Sequence, residues 1–186
     1  MIVKENRFFF ILAFLMGSIV ALSNYLVQFP VNYAGLQNLL TYGAFSYPVA
    51  FLITDLANKT YGKFVARKIV YIGFVIGISF TLLFSTNFSD LISLRIAIGS
   101  GAAFITAQLI DVQIFHKLRK EKWYIAPLTS SCIGSLVDTF LFFSISFYGT
   151  SMPWLTLSLG DLAVKILVAL LMLIPFKLFV RTLKTA

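Results

Sequence analysis

Residues 91–115 read LISLRIAIGSGAAFITAQLIDVQIF, a run of 25 residues with one arginine and one aspartate. As an α-helix it would be about 38 Å long at 1.5 Å per residue, more than the roughly 30 Å of hydrocarbon in a bilayer. Working outward, comparable apolar windows occur at 8–28, 39–57, 69–86, 128–149 and 155–179. These six windows use most of the 186 residues and leave only short connections. The expected fold is therefore all-α, a polytopic membrane protein of six transmembrane helices, with residues 1–186 forming one domain.

Composition agrees. The chain is 59% hydrophobic and 12% charged, with mean hydropathy +0.92. A soluble domain carries about 25% charged residues, so an ordinary cytosolic enzyme, a disordered chain and a secreted disulfide scaffold are all excluded. The net charge of +8 does not argue for nucleic acid, because that reading needs a basic face on a water-soluble fold. Cys132 and His116 are the sole residues of their types, too few for a disulfide within the chain or a His/Cys metal cluster. A cleaved signal peptide is disfavoured by the further span that follows the first one.

Basic residues set the expected orientation, since Lys and Arg are retained in cytoplasmic loops. Lys4 and Arg7 precede the first span; Lys59, Lys63, Arg67 and Lys68 follow the second. Lys117, Arg119, Lys120 and Lys122 follow the fourth, and Lys177, Arg181 and Lys184 close the chain. Those are 13 of 15 basic residues, whereas 30–38, 87–90 and 150–154 contain none. Both termini are expected to be cytoplasmic, and insertion beside anionic lipid accounts for the basic balance.

Arg95, Lys165, Asp55, Asp111, Asp138 and Asp161 remain inside or at the edges of the spans. A charge at a helix centre costs roughly 2.5–3.5 kcal/mol on insertion scales, and such residues face a bundle interior or a water-filled path. Asp138 lies near the midplane. Asp55 and Asp111 are close to the cytoplasmic ends, where reaching the interface competes with a functional role. Asp161 and Lys165, four apart, share a helical face and can pair; Arg95 can either snorkel or hold an acid.

Offsetting the chain by 53 residues aligns Phe51, Asp55 and Asn58 with Phe104, Gln108 and Asp111. Spacings of three and four place each set on one helix face, as in transporters built from parallel repeats. Polar contacts between packed helices are the competing account. Small residues at 99–103 and at Ser130, Ser131, Gly134 and Ser135 favour close packing, and Pro48 is expected to kink the second span beside Tyr47. No P-loop, HExxH or GxSxG string occurs. Carboxylates, amides and aromatics suit binding of a flat polar solute better than covalent chemistry.

The strings SYPVAFLITDLAN (46–58), YGK (61–63), AR (66–67), Arg95-Ile96, AQLIDVQIF (107–115) and SLVDTF (135–140) resemble the queuosine precursor transporter family over about 24–175. The resemblance implies import of the deazaguanines preQ0 and preQ1, or queuine, across the bacterial inner membrane for tRNA modification. It implies no cofactor and no enzyme activity. Its implicated positions are Asn24, Asp55, Asn58, Arg95, Gln108, Asp111, Asp138 and Lys165; Lys59, Pro127 and Ser135 depart from the usual family residues. In this picture Asp138 or Asp111 accepts the N–H donors of a guanine-like edge, Gln108 and Asn58 meet its other groups, and Tyr47, Phe51 or Phe104 stack. Ser135 joins them as a candidate contact. The expected partners are a deazapurine and the lipid bilayer, with a homodimer one open assembly; the competing functions are a binding subunit of an ATP-driven vitamin importer, a membrane scaffold and an intramembrane enzyme.

Overall fold

The computed structural model describes residues 2–33 and 35–185. The side chains of 2–6, 38 and 183–185 lie outside the described residues, and with them Lys4, Glu5 and Lys184 of the charge pattern. The helices are α1 (Ile2–Leu26), α2 (Gly43–Ser46), α3 (Pro48–Tyr61), α4 (Lys63–Phe80), α5 (Leu91–Leu118), α6 (Ile125–Phe147) and α7 (Trp154–Thr185). Among the described residues there is no β-strand, only an isolated bridge between Pro30 and Thr41.

Five of these helices, α1, α4, α5, α6 and α7, are long and apolar enough to cross a membrane. The expected second span differs from the other five: it is divided into α2 and α3 at Tyr47-Pro48. Pro48 has no N–H to give to the carbonyl one turn back, so the helical ladder is interrupted there. Tyr47 keeps helical angles (φ −59°, ψ −38°), and the chain changes hydrogen-bonding register without turning away.

Local signals place the other boundaries. Asp90 caps α5, its two carboxylate oxygens accepting from Ile92 N and Ser93 N at 3.1 Å each. Between α3 and α4 stands the single residue Gly62 at φ 84°, a left-handed conformation that glycine adopts without the Cβ penalty. At its far end α4 runs into a π-helical turn over Thr81–Ser85. There the Thr81 hydroxyl donates to Gly77 O at 2.9 Å and accepts from Asn24 Nδ2 at 2.8 Å.

The packing is polar within and apolar without, as lipid requires. Thr54, Asn58, Gln108, Asp111, Ser130, Ser135 and Thr139 are fully buried, while Phe14, Phe64, Leu83 and Phe84 are each more than two-thirds exposed. Surrounded by water that distribution would leave a large apolar surface wet; surrounded by hydrocarbon it satisfies the polar groups internally. Helices α5 and α6 form the most extensive interface, α1 lies along α4, and α7 closes against α6 and α3.

The loop between α1 and α2 is folded back on itself by Val31 N to Leu40 O (3.0 Å) and Tyr42 N to Phe29 O (3.0 Å). It sits so close to α7 that a Cβ on Gly160 would be 2.1 Å from the Leu39 carbonyl oxygen. Backbone cannot yield as a flexible side chain would. Gly160→Ala is therefore expected to push the loop off α7 and to lower stability by about 1–3 kcal/mol, the usual cost of overpacking; thermal unfolding in detergent measures it, and an unchanged midpoint would contradict the contact.

Candidate solute-binding site

The most highly charged buried centre is built from two helices, α6 and α7, with Tyr47 of the α2–α3 junction over it. Lys165 of α7 places Nζ 2.8 Å from Asp138 Oδ2 of α6 and 2.6 Å from Asp161 Oδ2, one turn back on α7. Its third partner is Thr139 Oγ1 at 3.2 Å, and that hydroxyl donates to Asp161 Oδ2 at 2.8 Å. Above the ammonium lies the Tyr47 ring, 4.8 Å from Nζ to the centroid, in the range of a cation–π contact. Lysine is thus fully engaged. With both acids ionised the centre carries one excess negative charge.

Aromatic residues wall this centre on the α3 and α5 side. Tyr47 meets Phe51 and Phe104 edge-on, with ring centroids 6.2 and 6.3 Å away. Phe51 fills the space left by Gly134 of α6, where a Cβ would be 2.5 Å from the ring. Phe104 in turn stacks on Phe74 of α4, with an interplanar angle of 11°.

A small cavity of about 20 Å³ opens onto Tyr47, Asp138, Asp161 and Lys165, and onto Ser23, Asn24, Ser100 and Phe142. That volume holds about one water molecule. Val27 lines it and also lines a much larger cavity of about 590 Å³ on the face opposite the basic loops. Gln28, Asn32, Gln37, Thr41, Asn87 and Ser93 contribute amides and hydroxyls to this larger cavity, whose size is that of ordinary small-molecule sites. The conformation is closed at the charged centre and open above it.

Towards the basic loops, α3 and α5 run side by side in the same direction. Thr54 donates to Gln108 Oε1, and Asn58 Nδ2 donates to Val112 O at 2.9 Å; both pairs are 54 residues apart. The two faces aligned by the sequence repeat therefore meet each other. Gln108 Nε2 and Asn58 Oδ1 are left buried without partners, as is Ser135 Oγ on α6. Asp55 accepts from Ser130 Oγ at 3.2 Å and Ser131 Oγ at 3.3 Å, and both oxygens of Asp111 lack a hydrogen bond.

Of the twelve candidate positions, the structure gathers Asn24, Tyr47, Asp138 and Lys165 around one cavity, with Phe51 and Phe104 behind Tyr47. Asp55, Asn58, Gln108, Asp111 and Ser135 form a second polar layer between α3, α5 and α6. Arg95 stands apart from both: Nε donates to Ile145 O at 2.9 Å and Nη2 to Tyr148 O at 2.8 Å, closing the carbonyl end of α6. Asp161 and Thr139 also belong to the charged centre, although neither was among the candidate positions. Asp161 reads in sequence as a structural partner of Lys165, and a threonine beside an intramembrane aspartate carries no signal of its own.

A multi-pass helical membrane protein with charged groups gathered inside its bundle, under a vestibule large enough for a small solute, has the architecture of a small-solute transporter. Residues 41–180 match the family described as "Putative vitamin uptake transporter". The chain is 34% identical to the Haemophilus influenzae protein named "Probable queuosine precursor transporter", over 92% of this chain and 86% of that one. It is 31% identical to the Escherichia coli "Queuosine precursor transporter" (84% and 79% covered) and 30% identical to a Bacillus subtilis "Probable queuosine precursor transporter" (72% and 68%). No solved structure matches it. The chain belongs to the queuosine precursor transporter family and is a multi-pass protein of the bacterial inner membrane.

Proposed function

We propose that this protein imports a queuosine precursor, preQ0, preQ1 or queuine, across the inner membrane by a secondary or facilitated mechanism without ATP, residues 1–186 acting as one transporter domain. In this reading α2 and α3 together make the second of six spans, and both termini are cytoplasmic. The basic residues at the α3–α4 and α5–α6 connections support that orientation. The vestibule lined by Gln28, Asn32 and Asn87 then faces outward.

One observation carries the reading: a charged, aromatic-walled centre lies directly beneath that vestibule, separated from it at Val27. A flat deazapurine entering from outside displaces Val27 and Phe142, offers its ring N–H donors to Asp138 and Asp161, and packs its face on Tyr47. The surplus negative charge favours a solute that is neutral with several donors, or cationic. The unpartnered amides of Gln108 and Asn58 and the Ser135 hydroxyl meet it further in as the bundle opens towards the cytoplasm. Because the charged centre has room for only about one water, transport requires the helices around it to part.

The test is the queuosine content of tRNA in a bacterial strain unable to make or import precursors, carrying this gene and fed preQ0, preQ1 or queuine in turn. Modified tRNA with at least one supplement is the expected result and names the solute. Absence of modification with the protein present in the membrane refutes the assignment, and modification that depends on a co-expressed ATPase replaces it with a binding subunit.

A further inference from the structure

Four carboxylates and one ammonium are buried between the helices: Asp55, Asp111, Asp138, Asp161 and Lys165, none more than 4% exposed. Lys165 is committed to Asp138 and Asp161. Among the described residues no cation pairs with Asp55 or Asp111, which lie near each other on α3 and α5. Asp55 has only the hydroxyls of Ser130 and Ser131, and the same Ser130 hydroxyl is the donor nearest Asp111, whose oxygens are otherwise without a partner. Beside them Asn58 is also fully buried, with Oδ1 unpartnered; its Nδ2 is tied to the carbonyl of Val112, the residue after Asp111.

Among the described residues the surrounding groups supply no counter-charge. From α7, the small cavity that Asp55 lines is bounded by Ala169, Met172, Leu173 and Phe176, none of them charged. On α6 the nearest acid is Asp138, about two turns from Ser131 and held by Lys165. Towards the basic face, Lys59 reaches the carbonyl of Arg119, Arg119 reaches that of Lys59, and Arg67 of α4 reaches Gln113 Oε1. His116, more than a turn beyond Asp111 on α5, lies near Lys63 and Arg119. From α1, Phe8 packs on Tyr61.

Two unpaired carboxylates side by side in this medium would each forfeit hydration worth several kcal/mol and would repel one another. A proton on one of them removes the repulsion and one of the two hydration losses, and its O–H can donate to the carboxylate that stays ionised, easing the second, or to the unmatched Asn58 Oδ1. We infer that Asp55 and Asp111 form a proton-binding site that couples solute movement to the proton gradient. The coupling part of this inference rests on the transport reading above.

The chemistry is a simple transfer: a proton from outside water forms an O–H bond on one carboxylate, and in the inward-open state that bond returns the proton to cytoplasmic water. Protonated, the pair lets α3, α5 and α6 close; deprotonated, its doubled negative charge drives them apart towards Lys59, Lys63 and Arg119. The same helices carry the signal to the solute, since Phe51 lies one turn from Asp55 on α3 and Ser131 two turns from Asp138 on α6.

Infrared difference spectra of the reconstituted chain, recorded across pH in water and D2O, read the proton without any solute. A buried protonated-carboxyl band is expected at neutral pH, and Asp111→Asn and Asp55→Asn should each remove or shift it. Two ionised carboxylates at neutral pH, or a band unmoved by both variants, would overturn the proposal. Proteoliposomes supplied with labelled preQ1 then test coupling. With acid outside, accumulation of up to about tenfold per pH unit is expected for one proton per solute, and in Asp111→Asn the ratio of rates with and without the gradient should fall to one. Accumulation driven by sodium and indifferent to the pH gradient overturns it. An intact band in a chain that carries none of labelled preQ0, preQ1 and queuine supports the proton site and refutes the solute reading instead.

Discussion

Asp138→Asn is expected to reduce precursor uptake by about 30-fold to 1000-fold while the protein still inserts and folds. Asparagine has the same shape, and Lys165 retains Asp161 at 2.6 Å and Thr139 at 3.2 Å, so the ammonium is not stranded. The charge of the centre changes from one surplus negative to neutral. A solute N–H then loses an ionised acceptor, and hydrogen bonds to buried charged groups that are truncated cost about 2–4 kcal/mol, which converts to the stated range. Queuosine in tRNA, scored beside membrane abundance and thermal midpoint, separates loss of binding from loss of protein. Gln108→Ala provides the companion measurement, because Gln108 Nε2 is buried and unpartnered. If both variants bound and carried the solute as the parent does, the site would lie elsewhere.

Much of this architecture is legible before any coordinates, because lipid writes its constraint into composition. Apolar runs of 18–25 residues mark five helices that lie near their expected positions, and Pro48 marks the place where the second span breaks. The pairing of Asp161 with Lys165 follows from a spacing of four. Asp138 is a different case: its contact with Lys165 spans 27 residues and depends on how α6 packs against α7, so local periodicity cannot choose between the two acids. In the structure the lysine takes both.

The repeat shows the same division between local and tertiary information. Its spacing places Phe51, Asp55 and Asn58 on one face, and Phe104, Gln108 and Asp111 on another. Whether those faces look into a shared space or at each other is decided by the distance between α3 and α5. They are close enough for Thr54 to bond Gln108 and for Asn58 to bond Val112 O, leaving polar atoms over rather than a cavity. Arg95 illustrates the opposite limit. Both readings open to it in sequence concerned charge, whereas its observed partners are the carbonyls of Ile145 and Tyr148, backbone groups that no side-chain pattern announces.

The largest loss of stability is expected from Lys165→Met. Methionine fills a similar volume, so packing is nearly preserved, but Asp138 and Asp161 are left facing each other without the cation that both use. Removing one partner from a buried ion pair costs about 3–5 kcal/mol, since the remaining charge keeps its desolvation penalty and loses its compensation. Here two charges are stranded, and the contact with Tyr47 is lost as well. The penalty should therefore be relieved by removing the stranded charges: Lys165→Met combined with Asp138→Asn and Asp161→Asn is expected to recover most of the thermal midpoint in detergent, because each asparagine buries no charge. Uptake should stay absent in both variants. A midpoint for Lys165→Met equal to that of the parent would show that the carboxylates do not need the lysine, and the charged centre would lose its claim to hold the helices in register. Recovery of stability without recovery of uptake would separate the two roles of this lysine, which balances the bundle through its charge and shapes the solute site through the acids it holds.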